Sequence, residues 1–414
     1  MTVKRVSLIA LVLGLLGVVG FVSSVAAKEV FLKRTGVFCA EDTNCHNRWH
    51  PAIKPVAHAD PGDLISYETR DALDTGYDRN ATTADMASIN LGLVHPLTGP
   101  VYINGAKAGD VLEVEIINIQ DTGYGYTMII PGFGFLRDLF PDPFLVNWDT
   151  NMLEATSPQM PPNVAVRRNG FPGTIGVSPS YEKVDEFIER EAALAAAGGF
   201  VLTPDPGGAE PVPVCGKGAP YEKKCLRTIP PRENGGNMDV KQMVAGTKIL
   251  FPCYVDGCLL SIGDVHYAQG DGEVSGTAIE IPSITTVRTQ IIRGGMSRIK
   301  SVEFKGTDQI KALQPAKFYA TVGFPLKPKG EIPAQHQWLN LERLRDLTNL
   351  SEDVTLAARH ALIQMIDYIV AVHGLTRNQA YILCSVAVDL HIAQVVDVPN
   401  VSVVAILDLG VFKE

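Results

Sequence analysis

The sequence predicts a mainly β protein with an α+β C-terminal part, built on a β-sandwich or barrel-like core. Short segments with alternating apolar and polar residues recur across residues 28–290, where Gly and Pro turns separate them. Amphipathic helical patterns follow in residues 291–414. A composition of 46% hydrophobic and 20% charged residues over 414 residues is typical of an ordinary globular protein.

Turn residues introduce the predicted strands. The pair Gly109-Asp110 precedes an alternating run that begins at Val111, and the turn at 60–63 precedes a similar run. Further strands of the β-rich part are predicted at 248–254, 274–281 and 285–292. Strands at this spacing favour a sandwich or a barrel over a parallel α/β sheet.

Helical patterns occur at three places. One helix is predicted at 180–198, where Gly198 and Gly199 end it. In the last third, Ser351 is predicted to cap a helix with an apolar stripe that ends at Gly374. Thr376 opens a further helix to about residue 388, and a strand is predicted at 401–407. The segment 203–231 is rich in Pro and Gly and is predicted to be an exposed excursion.

The N-terminus has the pattern of an export signal in residues 1–27. Lys4 and Arg5 precede an apolar run at 6–22, and the small residues at 23–27 suit a signal peptidase. The alternative is a transmembrane anchor, but the run is near the lower length limit for spanning about 30 Å of hydrocarbon. We therefore expect one exported domain, residues 28–414, periplasmic or secreted and without a stable membrane anchor.

An exported chain would carry its cysteines in an oxidising compartment. Cys39 and Cys45 are close together in one polar loop, and Cys215 and Cys225 bracket another. Both pairs are predicted to form local disulfides. Cys253 and Cys258 flank a hairpin-type turn, so a third bridge is open at this point. Cys384 lies in an apolar stretch and is predicted to be a buried free thiol, with a catalytic cysteine as the alternative.

The charge pattern argues against one class of partner. The formal net charge is −9, from 36 basic and 45 acidic residues, and the chain contains no basic block. Nucleic-acid binding needs a cationic surface that displaces counterions. We therefore expect no nucleic-acid partner.

Two short polar runs carry the residue types of a chemical site, at 231–239 and 263–273. The second run places two aspartates, a histidine, a glutamine and a glutamate between glycines. Asp264 and His266 are two positions apart, so on a strand both side chains point to the same face. A carboxylate and an imidazole provide metal ligands or an acid/base pair. The alternative is a polar loop rich in turn residues.

Other polar residues are ambiguous. His95 is a candidate site residue or an ordinary loop histidine, and Asp85 is similarly open. His360 and His373 are predicted to be structural or solvated. Cys39, Cys45, His46 and His50 suggest a zinc site, but their spacing does not match the usual fingers, and a disulfide would remove the thiolates.

The sequence resembles the acetamidase/formamidase family, and most closely its formamidase branch. The matching runs cover essentially the whole exported chain and are most specific around the two polar runs. They lie at 46–56, 95–116, 132–142, 170–180 and 230–280, with a weaker match at 379–400. The resemblance implies hydrolysis of a small aliphatic amide, formamide or acetamide, to the carboxylate and ammonia. It also implies a homo-oligomer and, in some relatives, a bound divalent metal. The run 71–90 matches the family poorly, which leaves a site role for Asp85 in doubt.

The resemblance and the residue chemistry together suggest a mechanism. Amide hydrolysis needs an activated nucleophile, stabilisation of the oxyanion and an acid for the departing amine. No signature of a covalent serine route is present, which favours attack by water.

Each candidate then has a role. We expect Glu273 to be general base and then proton donor, with Asp264 and His266 as its catalytic partners. Asp239, Asp264 and His266 are the candidate ligands of a divalent metal such as zinc or calcium, and the alternative is that His266 orients the attacking water directly. The candidates for binding the substrate are Asn237, Gln269, Gly236 and His95. The backbone N–H groups of four glycines are expected to face the oxyanion: Gly235, Gly236, Gly270 and Gly272.

Two alternatives stay open. The chain could be an exported β protein that binds a small ligand without catalysis. It could also be an amidase that acts on a cyclic or longer amide, because the sequence does not reveal the size of the pocket.

Overall fold

The computed structural model describes residues 28–339 and 342–413. The predicted signal at 1–27 lies outside the described residues. Two large, mostly antiparallel β-sheets form the body of the protein, and a small α+β unit follows them in the chain. The prediction of a mainly β fold with an α+β C-terminal part is confirmed.

The first sheet has six strands, of which Val111–Asp121 and Ser283–Ile292 are the longest. Alternate residues of Val111–Asp121 are buried, so its inner face supplies Leu112, Val114 and Ile116 to the core. The strands follow in spatial order: Glu29–Leu32, Leu64–Thr69, Ser283–Ile292, Val111–Asp121, Lys248–Pro252 and Glu303–Lys305.

The second sheet has eleven strands and carries the polar runs at its centre. The strand Leu260–His266 is buried along its whole length and pairs with three neighbours: Phe171–Gly176, Glu280–Ile281 and Leu97–Ile103. The remaining strands of this sheet are Cys45–His46, Ala57–Ala59, Tyr124–Ile129, Phe144–Thr150, Glu154–Thr156, Val166–Arg167 and Gly235–Asn237.

The C-terminal unit is a three-stranded sheet covered by two helices. The helix Val354–His373 buries one apolar stripe against the core, and Arg377–Ala387 packs beside it. The strands are Phe318–Gly323, Ser402–Asp408 and Val388–Gln394. Val354–His373 is the one helix among the described residues long and apolar enough to cross a membrane, and 44% of its most apolar stretch is buried inside the protein.

The other regular elements are short except for the helix Tyr181–Ala196, which Ser180 caps. Short helices lie at Val212–Cys215 and Gln309–Ala312, and the strands Arg48–Trp49 and Leu226–Arg227 form a two-stranded ribbon. Single 3₁₀ turns lie at Cys39–Glu41, Thr83–Ser88, Leu91–Leu93, Gly295–Ser297, Ala334–His336, Glu342–Leu344 and Leu409–Val411.

Three details differ from the prediction. Only Glu280–Ile281 of the predicted strand at 274–281 is a strand, because turns and a positive φ at Gly276 occupy the rest. Asp353, rather than Ser351, caps the C-terminal helix by accepting a hydrogen bond from the amide of Leu356. The segment 203–231 is not simply exposed, since it buries Cys215 and other apolar residues in a small core of its own.

All three cysteine pairs form disulfides: Cys39–Cys45, Cys215–Cys225 and Cys253–Cys258. The first two confirm the prediction, and the third resolves a pairing that the sequence left open. Cys384 is a buried free thiol, as predicted. Burial raises the pKa of this thiol well above its ordinary value, so it lacks the thiolate that a catalytic cysteine needs.

Candidate active site

Paired strands bring three ionisable side chains together at the centre of the larger sheet. Asp264 and His266 lie two positions apart on Leu260–His266, and their side chains meet as the strand spacing predicts. Glu280 stands directly opposite His266 on the neighbouring strand. All three side chains are almost completely buried.

Loops add two more carboxyl groups. Asp239 follows the strand Gly235–Asn237, and Glu273 lies in the turn that leads away from Leu260–His266. Each of these two side chains is 18% exposed. Asp239, Glu273 and Asp264 all have positive φ, a conformation that non-glycine residues adopt rarely and that is concentrated at functional sites.

The imidazole of His266 is the centre of this cluster. Its Nε2 lies 3.2 Å from Asp264 Oδ1 and 3.3 Å from Glu280 Oε2. The same nitrogen is 3.9 Å from both Asp239 Oδ1 and Glu273 Oε1. Four carboxyl groups thus surround one ring nitrogen.

Neighbouring polar side chains hold the cluster in place. The Thr174 hydroxyl lies 2.9 Å from Asp264 Oδ2 and 2.8 Å from Asn237 Oδ1, and its single proton serves one of these acceptors at a time. The side-chain amide of Gln269 donates to the main-chain carbonyl of Asp239 at 2.9 Å. The amide of Ala278 donates to Glu280 at 2.7 Å.

The buried charges favour one ion pair. Burial opposes the charged form of His266, but Glu280 and Asp264 outweigh it and raise the imidazole pKa well above its ordinary value. Burial also opposes ionisation of Asp264, yet the nearby His95 and His266 lower the pKa of this carboxyl. Asp264 is therefore the carboxylate that balances the His266 imidazolium.

The other three carboxyl groups favour the protonated form. Burial raises the pKa of Asp239 to about 8 and that of Glu280 to about 7. Burial and the charge of Asp239 together raise the pKa of Glu273 well above its ordinary value. Asp239 and Glu280 therefore titrate near neutral pH, in the range that suits proton transfer, and Glu273 gives up its proton less readily than an ordinary glutamate.

The cluster opens into a small cavity of about 50 Å³. Both polar groups and apolar side chains line this cavity. The polar part of the lining consists of His95, Asn237, Asp264, Glu273, Thr277 and Glu280. The apolar part consists of Ala72, Leu73, Leu91, Val94, Ile130, Phe133 and Ile229, and Gly276 completes the lining. A small lining of this mixed composition fits a small molecule with one polar and one apolar end.

Gly173 lies directly against the cluster. A Cβ atom at this position would lie 2.6 Å from His266 Cε1 and 2.8 Å from Asp239 Oδ1, closer than Cβ atoms approach other atoms in proteins. Any larger residue would displace the imidazole or the carboxyl group. The absence of a side chain here is therefore part of the site.

Comparison with known proteins agrees with this geometry. Residues 33–414 match the sequence profile of the Acetamidase/Formamidase family. The chain belongs to this family. The acetamidase of Mycolicibacterium smegmatis is 32% identical over 370 residues, covering 82% of this chain and 84% of its own. The formamidase of Methylophilus methylotrophus is 31% identical and covers 87% of each chain.

A solved structure supports the family fold. The gamma lactamase from Delftia acidovorans superposes with a TM-score of 0.82 at 30% identity, covering 93% of this chain and 94% of its own. The family assignment and the fold class predicted from the sequence are both confirmed.

In this acetamidase/formamidase family member, most of the predicted site residues meet in one place. Asp239, Asp264, His266 and Glu273 share the cluster, and Asn237 lines the cavity. His95 also lines it, with Nε2 3.7 Å from Asp264 Oδ2. Burial lowers the pKa of His95, and the nearby Asp264 carboxylate opposes this shift.

Gln269 and the glycines lie elsewhere. Gln269 contacts the main-chain carbonyl of Asp239 and lines a separate cavity of about 430 Å³. Gly236 faces the indole of Trp49, and the amides of Gly235 and Gly270 donate to the carbonyls of Arg232 and Ser385. The structure therefore gives these two amides structural partners, in place of the oxyanion contacts expected from the sequence.

Of the residues that the sequence left ambiguous, Asp85 and His46 lie outside the cluster. Asp85 is an exposed cap whose carboxylate accepts from the amide of Thr82. His46 bonds Ser261 Oγ and the carbonyl of Arg48, both at 2.8 Å, and the disulfide at Cys45 removes the thiolate that a zinc site would need.

Three residues of the site were missed by sequence reasoning: Gly173, Thr174 and Glu280. Glu280 had a usable signal, because it is a single charge between apolar residues at the end of the most specific matching run. Gly173 and Thr174 lie in the matching run 170–180, but no local spacing relates them to the polar runs. The pairing of Phe171–Gly176 with Leu260–His266 brings them there.

Proposed function

We propose that this chain hydrolyses the carbon–nitrogen bond of formamide or acetamide, giving the carboxylate and ammonia. The observation that carries this proposal is the small cavity, which acid/base groups and apolar side chains line together. The relatives named acetamidase and formamidase support the same class of reaction. The sequence-based prediction of an amidohydrolase acting on linear amides is confirmed at the level of the class.

The size of the cavity supports short amides. About 10–15 Å³ of such volume holds one water, so 50 Å³ holds a molecule of about three or four non-hydrogen atoms. Formamide with one water, or acetamide alone, is of this size. A cyclic or longer amide would need the wall to move, so the structure does not favour that alternative.

The lining favours water as the nucleophile. Thr277 is the one hydroxyl residue that lines the small cavity within the described parts of the chain. Its Oγ1 is already engaged, since it accepts from the amide of Met128 at 2.7 Å and donates to the carbonyl of the same residue at 3.1 Å. A water beside the carboxyl groups therefore supplies the attacking oxygen.

Glu273 is the proposed proton carrier. It lines the cavity, and burial together with the charge of Asp239 raises its pKa well above that of an ordinary glutamate, which makes its carboxylate a stronger base. As a carboxylate it takes a proton from the attacking water, and it then delivers that proton to the departing nitrogen. Asn237 and His95 face the same cavity and provide polar contacts for the substrate amide.

We also propose that the cluster holds a divalent metal. Two sets of donors lie within mutual reach: Asp239, His266 and Glu273, and Asp264, His266 and Glu280. The carboxylate oxygens lie 3.2–3.9 Å from His266 Nε2. That range includes the separation of about 3.4 Å expected between tetrahedral ligands of one Zn²⁺.

The donor set favours zinc over calcium, because calcium takes oxygen ligands and the cluster offers one central imidazole. When bound, such a metal lowers the pKa of a coordinated water and polarises a carbonyl. Asp239 Oδ1 is buried and lacks a hydrogen-bond partner among the described residues, which agrees with a ligand role.

The test is ammonia release by purified mature protein, beginning near residue 28, on formamide, acetamide, propionamide and urea, with and without EDTA. Release from the short amides supports the function, and loss of release in EDTA that zinc restores supports the metal. Release that EDTA leaves unchanged after prolonged dialysis, with metal-free protein by elemental analysis, would overturn the metal proposal alone. No release from any amide by folded, metal-loaded protein would overturn the function and favour a binding protein.

Export and self-association are further proposals. Residues 1–27 carry the signal pattern, and three disulfides are typical of an oxidising compartment. Mass spectrometry of the protein released from the periplasm tests cleavage near residue 27. Exposed apolar residues on the hairpin near Ile392 and Val396 support a homo-oligomer, which light scattering tests.

A further inference from the structure

The apolar side of the small cavity has two kinds of residue. Ala72, Leu73 and Val94 are fully buried and belong to a satellite core. Leu91, Ile130, Phe133 and Ile229 also line the cavity but are only partly buried, so they lie between it and solvent. The cavity therefore has a fixed side wall and a thin roof.

Phe133 is the aromatic part of this roof and lies against the segment that follows Glu273. It is in a turn in which its amide donates to the carbonyl of Ile130 at 3.0 Å. Its ring lies so close to Gly276 that a Cβ there would be 2.6 Å from Phe133 Cδ1. Gly276 follows the Glu273 turn by three residues, so the ring is positioned relative to the reacting groups.

Hydrogen bonds fix the position of the segments that carry Ile229 and Leu91. Arg227 donates to the carbonyl of Leu91, and the amide of His95 donates to the Thr228 hydroxyl. These bonds tie the strand before Ile229 to the segment that carries Leu91. Ile229 and Leu91, which both line the cavity, are therefore held at a set distance from the polar side.

This arrangement determines how the substrate must lie. The amide group of a substrate has to face the carboxyl groups, so its acyl substituent points toward the roof. We propose that the Phe133 ring, with Ile229 beside it, is the specificity-determining contact. It limits the substituent on the carbonyl carbon of the substrate to about one carbon atom. The inference rests on the proposed amidase function and extends it by assigning the acyl-binding wall.

The test compares kcat/KM for formamide, acetamide, propionamide, butyramide and 2-pyrrolidinone in the wild type and in Phe133→Ala. The wild type is expected to lose about 10-fold or more for each methylene beyond acetamide. Phe133→Ala should raise the butyramide-to-acetamide ratio of kcat/KM by about 10-fold or more, and Phe133→Trp should lower the acetamide-to-formamide ratio. Phe318→Ala, which truncates an exposed phenylalanine on the C-terminal sheet, is the matched control and should leave every ratio unchanged.

Two outcomes separate this inference from the function it rests on. If the wild type hydrolyses short amides but Phe133→Ala keeps the wild-type ratios, the assignment of the wall is wrong while the function stands. If the wild type releases ammonia from no amide, the function itself fails. Should Phe133→Ala not fold, Phe133→Leu and Ile229→Ala make smaller changes to the same roof, and unchanged ratios in both would equally overturn the inference.

Discussion

Replacing Gly173 by alanine tests whether the position of the His266 imidazole controls the reaction. The new methyl group would lie 2.6 Å from His266 Cε1, whereas ordinary van der Waals contacts of a Cβ begin near 3.4 Å. The ring, the strand or both must therefore move by about 0.8 Å, and the edge-to-face contact with Phe171 restricts where the ring can go. A displacement of about 1 Å in a catalytic arrangement costs about 100-fold in rate.

We expect Gly173→Ala to lower kcat/KM for formamide by about 100-fold, while overpacking costs about 1–3 kcal/mol of stability and leaves the protein folded. Steady-state ammonia release measures the rate, and thermal unfolding measures the stability. Gly170→Ala is the control, because its Cβ would meet its nearest neighbour, Ile119 Cγ2, at an ordinary 3.5 Å. A folded Gly173→Ala protein with kcat/KM within about twofold of Gly170→Ala would refute the argument that the imidazole position is critical.

The other predictions concern the proton carrier, pH and the disulfides. Glu273→Gln should lower kcat by about 10²–10⁴-fold with little change in KM, and full ammonia release would rule out Glu273 as proton carrier. Asp239 and Glu280 have raised pKa values in the folded protein, of about 8 and about 7. Between about pH 4 and these values the folded protein without a bound metal keeps protons that the unfolded chain has released, so its stability falls as the pH rises. The Tm of chelated protein should therefore fall as the pH rises from 5 to 8, and less steeply in Asp239→Asn; an equal slope would contradict the assignment. Replacing both Cys215 and Cys225 by alanine should cost about 2–4 kcal/mol in urea unfolding, and an unchanged midpoint would show that the bridge does not stabilise the fold.

Local pattern was enough to predict the parts of the site that lie on one strand. Asp264 and His266 are two residues apart, and the period of a strand alone places them on one face. The contact of 3.2 Å between them was not predictable in this way, because it also depends on the positive φ of Asp264 and on the side-chain rotamers. The same reasoning predicted the long strand from Val111, whose alternation is read directly from its residues.

Long-range pairing determined what the sequence did not reveal. Glu280 reaches His266 only because two strands pair in a particular register, and Gly173 reaches it through a third strand almost a hundred residues earlier. The predicted strand at 274–281 was wrong for a related reason. Its apolar residues suggested continuous pairing, but Gly276 adopts a positive φ and packs under Phe133, so the segment turns to form the cavity.

The charge balance of the cluster connects its stability to its chemistry. Four carboxyl groups lie within 3.9 Å of one imidazole in a buried site, and a single imidazolium can compensate only one negative charge. The remaining negative charge must be removed by protons or balanced by a bound cation, because uncompensated buried carboxylates are too costly. Protons and a divalent cation therefore compete for the same oxygens. If the proposed metal binds here, its removal should cause proton uptake near neutral pH, and a chelated protein that takes up no protons would mean that these carboxyl groups do not bind a metal.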